Sequence, residues 1–118
     1  MTFLELAAAR YSVRAYDDRP VEQEKLDAVL EAARLAPTAC NNQPQKIYVV
    51  KSAEKRAALA EVCSCTFGAP VVMVVAFDND LDWKNPLTPD YHSGEVDASI
   101  VCTHMRLEGR EQGLGSCW

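Results

Sequence analysis

No stretch of this chain approaches the roughly 20 consecutive apolar residues that a membrane-spanning helix requires. Its opening, MTFLELAAARYSVR, has neither the basic region nor the long apolar core of a secretory signal. The expectation is a cytoplasmic protein without a membrane partner. Histidine is scarce, and neither His92 nor His104 stands at metal-ligand spacing from a cysteine, so no metal site is expected. The patterns GxxxxGK[ST], HExxH and GxSxG are absent, and no cysteine carries a thiol-protease signature, which leaves hydrolase chemistry little to stand on. Positive charge is also short. Twelve Lys and Arg against seventeen Asp and Glu give a net charge of −5, which argues against nucleic acid as a main partner. A small phosphorylated ligand remains possible, since it needs only one or two well-placed arginines. The five cysteines, Cys40, Cys63, Cys65, Cys102 and Cys117, are odd in number and irregularly spaced. That argues against a secreted disulfide framework, which normally shows an even set, and Cys63-Ser64-Cys65 lacks the CxxC spacing of a redox pair or zinc knuckle, so the thiols read as reduced and buried or incidental.

What is present is ordinary for one domain: 118 residues, 48% hydrophobic and 25% charged. A chain of this length can bury a core without disulfides or metal. Thr2 and Glu5 form a capping-box pattern that opens a helix running to about Arg10. From Glu22, the spacing of Leu26, Val29, Leu30 and Ala33 predicts an amphipathic helix, which Pro37 ends by disfavouring a helical Ala36. A polar loop follows, then a strand over Ile47–Val50 and a helix capped by Ser52 and running to about Val62. Val71–Phe77 is apolar on both faces, which predicts a strand in the middle of a covered sheet. The acidic stretch from Asp78 to His92 reads as a long unstructured loop, of a kind that is often functional. Ser93-Gly94-Glu95 starts a long helix with Val96, Ile100, Val101 and Met105 on its apolar stripe and Gly113 as its stop. The last residues enter a strand that nothing follows, and the chain reads as cut inside its fold.

Three constellations stand out. Arg10-Tyr11-Ser12-Val13-Arg14 places two guanidiniums around a hydroxyl, a set that can converge on one phosphate. Pro37-Thr38-Ala39-Cys40-Asn41-Asn42-Gln43-Pro44 offers side-chain amides and backbone groups able to read the edge of a planar heterocycle. Gly113-Leu114-Gly115-Ser116-Cys117-Trp118 lets backbone approach a flat ligand closely. It is no dinucleotide fingerprint, because it follows a helix instead of opening one. Taken singly, the bland readings are better: a solvated arginine pair, a helix-ending turn, and a helix cap.

Taken together and in this order, the three resemble the nitroreductase family of FMN-dependent oxidoreductases. Arg10, Ser12 and Arg14 match its Arg-x-Ser-x-Arg. Ala36, Pro37, Thr38, Asn41, Gln43 and Pro44 match its Ala-Pro-Ser-x-x-Asn-x-Gln-Pro, and Asp97-Ala98 through Trp118 match its third segment. The resemblance covers essentially the whole chain. It implies one α+β domain over residues 1–118, with a central β-sheet flanked by helices, lacking the family's usual C-terminal portion. It also implies an intertwined homodimer with two FMN sites at the subunit interface. By the same resemblance Arg10, Tyr11, Ser12 and Arg14 hold the FMN phosphate and ribityl chain. Pro37, Thr38 and Ala39 approach the isoalloxazine from the other subunit, Asn41 and Gln43 shape that loop or bind the flavin, and Leu114 and Gly115 lie by the ring.

The implied mechanism is ping-pong: NADH or NADPH gives hydride to flavin N5 and leaves, and a nitroaromatic, quinone or similar small-molecule acceptor takes its place. No side chain need act as acid or base, because the cofactor carries the chemistry. Two other readings stay open. A noncatalytic flavin-binding or dimerisation module would bind FMN without its reduction by NAD(P)H, and one fold also supports specialised flavin chemistries. Trp83 and Tyr91 in the acidic loop are expected either to stack on an aromatic acceptor or to pack across a dimer interface.

Overall fold

The computed structural model describes residues 1–118 as four helices and one two-stranded sheet. Helix α1 (Phe3–Ala9) starts as expected: Thr2 Oγ1 accepts the Glu5 amide at 3.2 Å and Glu5 Oε2 accepts the Thr2 amide at 2.6 Å. Helix α2 (Gln23–Leu35) ends at an extended Ala36 before Pro37. A single 3₁₀ turn (Ala39–Asn41) leads into strand β1 (Gln45–Val50), which begins two residues earlier than its apolar run. Ser52 Oγ caps helix α3 (Ala53–Val62) through the Lys55 amide. Strand β2 (Val72–Phe77) precedes the 18-residue helix α4 (Gly94–Glu111).

The core is the seam between α2 and α4. Val29, Ala33 and Ala36 meet Val101 and Met105, with Ile47, Met73 and Val75 of the sheet closing over them. Leu26, Val29 and Ala33 are the inward residues of α2, as the i, i+3, i+7 spacing requires. Only 12 residues are buried, so most apolar side chains are outside this seam.

Three expectations change. β2 is not central: it pairs only with β1, antiparallel from Val50↔Val72 to Gln45↔Phe77, and none of its residues is buried. An all-apolar strand reports that both faces avoid water, and says nothing of how many neighbours its edges have. Val96 is 58% exposed and off the buried stripe of α4, which runs through Gly94, Asp97, Val101, Met105 and Gly109. Val101 and Met105 lie on that stripe as expected, whereas Val96 is one residue, about 100°, off it, because the stripe's first turn is carried by a glycine and a carboxylate. The Asp78–His92 stretch is not structureless, since Lys84 and His92 form a β-bridge and Asn85 and Ser93 donate to the carbonyls of Tyr91 and Trp83.

Candidate functional site

Helix α4 ends in a Schellman motif: the Leu114 amide donates to Gly109 O at 2.8 Å and the Gly113 amide to Arg110 O at 2.9 Å, with Gly113 at φ 79°. This turn throws Leu114–Trp118 alongside the segment after α1. Ser12 and Ser116 form a parallel bridge, and the Val13 amide donates to Ser116 O at 2.9 Å. At Gly115 a Cβ would lie 2.9 Å from Val13 Cγ2, so the close approach requires glycine. The first and third constellations, some hundred residues apart in sequence, are thus one structural unit.

Beside this unit runs a groove of about 620 Å³, lined by Arg10, Tyr11 and Val13, by Leu114, Gly115 and Ser116, and by Arg106 and Arg110 from α4. Arg14 is exposed and is not among its lining residues; its Nη1 reaches Ser12 O at 3.5 Å. The sequence reading missed Arg106 and Arg110. Both sit on one face of α4, four residues apart, where i, i+4 spacing places them one above the other. Arg106 Nη2 donates to Ser12 Oγ and its Nε to Ser116 Oγ, each at 3.3 Å, while Arg110 Nε is buried without an acceptor. The signal available was two arginines in the otherwise apolar register of the last helix, directly before the glycines.

Burial pushes the Cys102 thiol up, against the nearby Arg106, and a protonated thiol is a poor nucleophile. Burial also raises Tyr16, whose hydroxyl donates to Val13 O at 2.9 Å.

The second constellation lies elsewhere. The loop from Pro37 to Pro44 holds three non-glycine residues in the left-handed region, Cys40 (φ 52°), Asn41 (φ 54°) and Gln43 (φ 53°). Each costs of order 1–2 kcal/mol. The conformation is held by Thr38 Oγ1, which accepts from the Gln43 amide at 3.0 Å and from Gln43 Nε2 at 3.1 Å, and by Asp97, whose Oδ1 accepts the Ala39 amide at 3.0 Å. Gln43 Nε2 also donates to Asn41 Oδ1 at 2.6 Å. Gln45 follows, its Nε2 donating to Gln43 Oε1 at 3.0 Å while its own Oε1 is buried without a partner.

None of Pro37, Thr38, Ala39, Asn41 or Gln43 lines the groove. The loop is tied to the first turn of α4 through Asp97, whereas the groove's glycines follow the last turn. At 1.5 Å per residue the two ends are roughly 24 Å apart. Within one copy of the chain the Thr38 loop and the groove are therefore separate.

The acidic loop is fastened to the same end of α4 as the Thr38 loop. The buried Asp82 carboxylate accepts from Lys84 Nζ at 2.7 Å, meets His92 Nδ1 at 2.6 Å and accepts the Gly94 amide at 3.1 Å. Hydrogen bonding from Lys84 chiefly, and then from His92, holds its carboxyl below the usual aspartate range despite burial. Trp83 packs edge-on against Tyr91 with ring centres 6.4 Å apart.

The Nitroreductase family model matches residues 7–67, just over half of the chain. A solved nitroreductase family protein from Clostridium difficile 630 superposes with a TM-score of 0.93 at 42% identity, over 98% of this chain and 66% of that one. An FMN-dependent nitroreductase from C. difficile R20291 does so with a TM-score of 0.81 at 32% identity, over 98% and 65%. A relative from Archaeoglobus fulgidus, provisionally named an NADH dehydrogenase/NAD(P)H nitroreductase, is 34% identical over 98% of this chain, which spans 65% of that protein's length. The α+β architecture agrees with these matches: the chain belongs to the nitroreductase family.

Proposed function

We propose that this protein is an FMN-dependent oxidoreductase that uses NADH or NADPH, working as a homodimer. The observation that carries the reading is the joining of Arg10 and Ser12 to Leu114–Ser116 across the Ser12–Ser116 bridge, beside a groove in which Arg10, Arg106 and Arg110 have no acidic partner, whereas Arg19, also in its lining, is paired with Asp17. The donor set suits a phosphorylated flavin. Guanidiniums and hydroxyls are phosphate ligands, and the buried Arg110 Nε lacks an acceptor.

Arg10, Tyr11, Ser12 and Arg14 are assigned to the phosphate and ribityl chain, and Leu114 and Gly115 to the flavin ring. Pro37, Thr38, Ala39, Asn41 and Gln43 are assigned to the ring bound by the partner subunit, which accounts for their distance from the groove of their own chain. FMN, when bound, supplies hydride transfer at N5 from NAD(P)H to a nitroaromatic, quinone or similar acceptor in ping-pong order. The protein's part is to hold the ring and to place positive charge and N–H donors where negative charge develops.

Exposed apolar side chains support a second copy. Phe3, Leu4 and Val96 are 68%, 79% and 58% exposed on α1 and on α4, a pair of helices in mutual contact. A second copy would cover these apolar side chains. Trp83 and Tyr91 are assigned to acceptor choice, so Trp83→Ala should change acceptor preference with flavin content unchanged. No helix is long and apolar enough to cross a membrane, and with five free thiols we assign the protein to the cytoplasm as a single domain.

The deciding measurement is the visible spectrum of the purified protein after incubation with FMN and removal of free ligand. About one flavin per chain, bleached by NADH, is expected, and Arg14→Ala should lower retention. No retained flavin defeats the proposal; flavin retained but not reduced by NADH or NADPH would point to a binding module instead.

A further inference from the structure

We propose that Arg106, resting on the flavin reading above, is the residue that makes the site selective for a phosphate monoester, and so for FMN over riboflavin. The chain is acidic overall, yet its arginines are unevenly spent. Arg19 and Arg34 are paired with Asp17 and Glu31, and Arg56 donates to the carbonyls of Lys51 and Ala69. Arg106 meets no carboxylate within 4.0 Å. It is directed instead at two hydroxyls, Ser12 from the segment assigned to the phosphate and ribityl chain and Ser116 from the segment bridged to it.

A serine hydroxyl has one hydrogen and two lone pairs. Because Arg106 donates to the oxygens of both Ser12 and Ser116, each hydroxyl has its hydrogen left to give away. One guanidinium thus turns two ambivalent groups into donors, and it keeps three of its own five N–H bonds unspent. The result is a cluster of donors around a positive charge with no acceptor of its own. A phosphate monoester, which offers acceptor oxygens and negative charge and nothing else, complements it; a neutral hydroxymethyl end, as in riboflavin, does not.

The fork matters as well as the charge. Nε and Nη2 span the two serines simultaneously, which a lysine ammonium on a flexible stem cannot do in the same geometry. Arg106 is accordingly a positioning residue, acting on the ligand largely through Ser12 and Ser116.

Titrating FMN and riboflavin against the wild-type protein, Arg106→Met, Arg106→Lys and Ser116→Ala by flavin fluorescence tests this. Loss of a charge-assisted set predicts that Arg106→Met weakens FMN roughly tenfold or more, with riboflavin affinity unchanged. Arg106→Lys and Ser116→Ala should fall between. A merely structural clasp would weaken both ligands alike, and that result, or unchanged FMN affinity, overturns the proposal. Wild-type protein that binds no FMN overturns the flavin reading itself. Should Arg106→Met fail to fold, the FMN-to-riboflavin ratio of the Lys and Ser116→Ala variants decides in the same way.

Discussion

The Asp97 carboxylate accepts the Ala39 amide at 3.0 Å, joining residues 58 positions apart. Its other oxygen accepts the Ser93 hydroxyl at 2.6 Å, and Ser93 Oγ in turn accepts the Trp83 amide at 3.1 Å. One buried side chain thereby sets the Thr38 loop and the acidic loop against the start of α4. A negative charge in the first turn of a helix is also favoured by the helix dipole.

Replacing Asp97 with alanine leaves the Ala39 amide and the Ser93 hydroxyl without their partner. Removing one member of a buried charged network costs about 3 kcal/mol. Urea denaturation should show that loss for Asp97→Ala and a smaller one for Asp97→Asn, which keeps an acceptor. If Asp97→Ala were as stable as the parent, the carboxylate would not be holding the two loops.

Gly94 opens α4 against the Phe77 ring, into which a Cβ would project. Alanine in a helix ordinarily gains about 1 kcal/mol over glycine, so the sign of the change reports the clash. Gly94→Ala is expected to destabilise by about 2 kcal/mol, and Phe77→Leu should recover part of it in a double-mutant cycle. Additive losses would mean the two residues do not compete for the same space.

Much of this architecture was legible because local chemistry and tertiary packing agree. The Thr2 and Ser52 caps, the Pro37 stop and the α2 stripe each depend on residues within one or two turns, and each is where the spacing places it. The bridge between Ser12 and Ser116 was not legible, since no periodicity connects the two ends of a chain. Val96 was misplaced because a helix whose buried stripe includes Asp97 and two glycines hides its phase from an apolar count. Arg106 and Arg110 were passed over for the opposite reason, being charged residues that face a groove where ordinary helices turn theirs to water.

The strained loop offers a test in which a substitution stabilises. Cys40 is exposed at φ 52°, a region that costs an L-residue of order 1–2 kcal/mol and glycine almost nothing. Glycine gains unfolded-state entropy that offsets part of this. Cys40→Gly should therefore raise stability by up to about 1 kcal/mol, read as a higher urea midpoint with an unchanged slope. A lower midpoint would show that the thiol makes a contact worth more than the strain.

Asp82 gives the fold a pH dependence whose sign follows from its surroundings. Lys84 Nζ, His92 Nδ1 and the Gly94 amide all face the carboxylate, and Glu95 stands beyond His92 at 3.6 Å. Hydrogen bonds from Lys84 and then His92 hold its carboxyl below the usual value, so the folded state binds the Asp82 proton less readily than the unfolded chain. The stabilisation is fully present above the unfolded value of about 3.9 and is lost as pH falls through the lower folded one. The stability difference between the wild-type protein and Asp82→Asn should accordingly be level from pH 7 to about pH 5 and shrink below about pH 4. Lys84→Met, which removes the largest cause, should move that loss to higher pH. Urea unfolding across this range checks both, and a difference that grew on acidification would reverse the assigned sign.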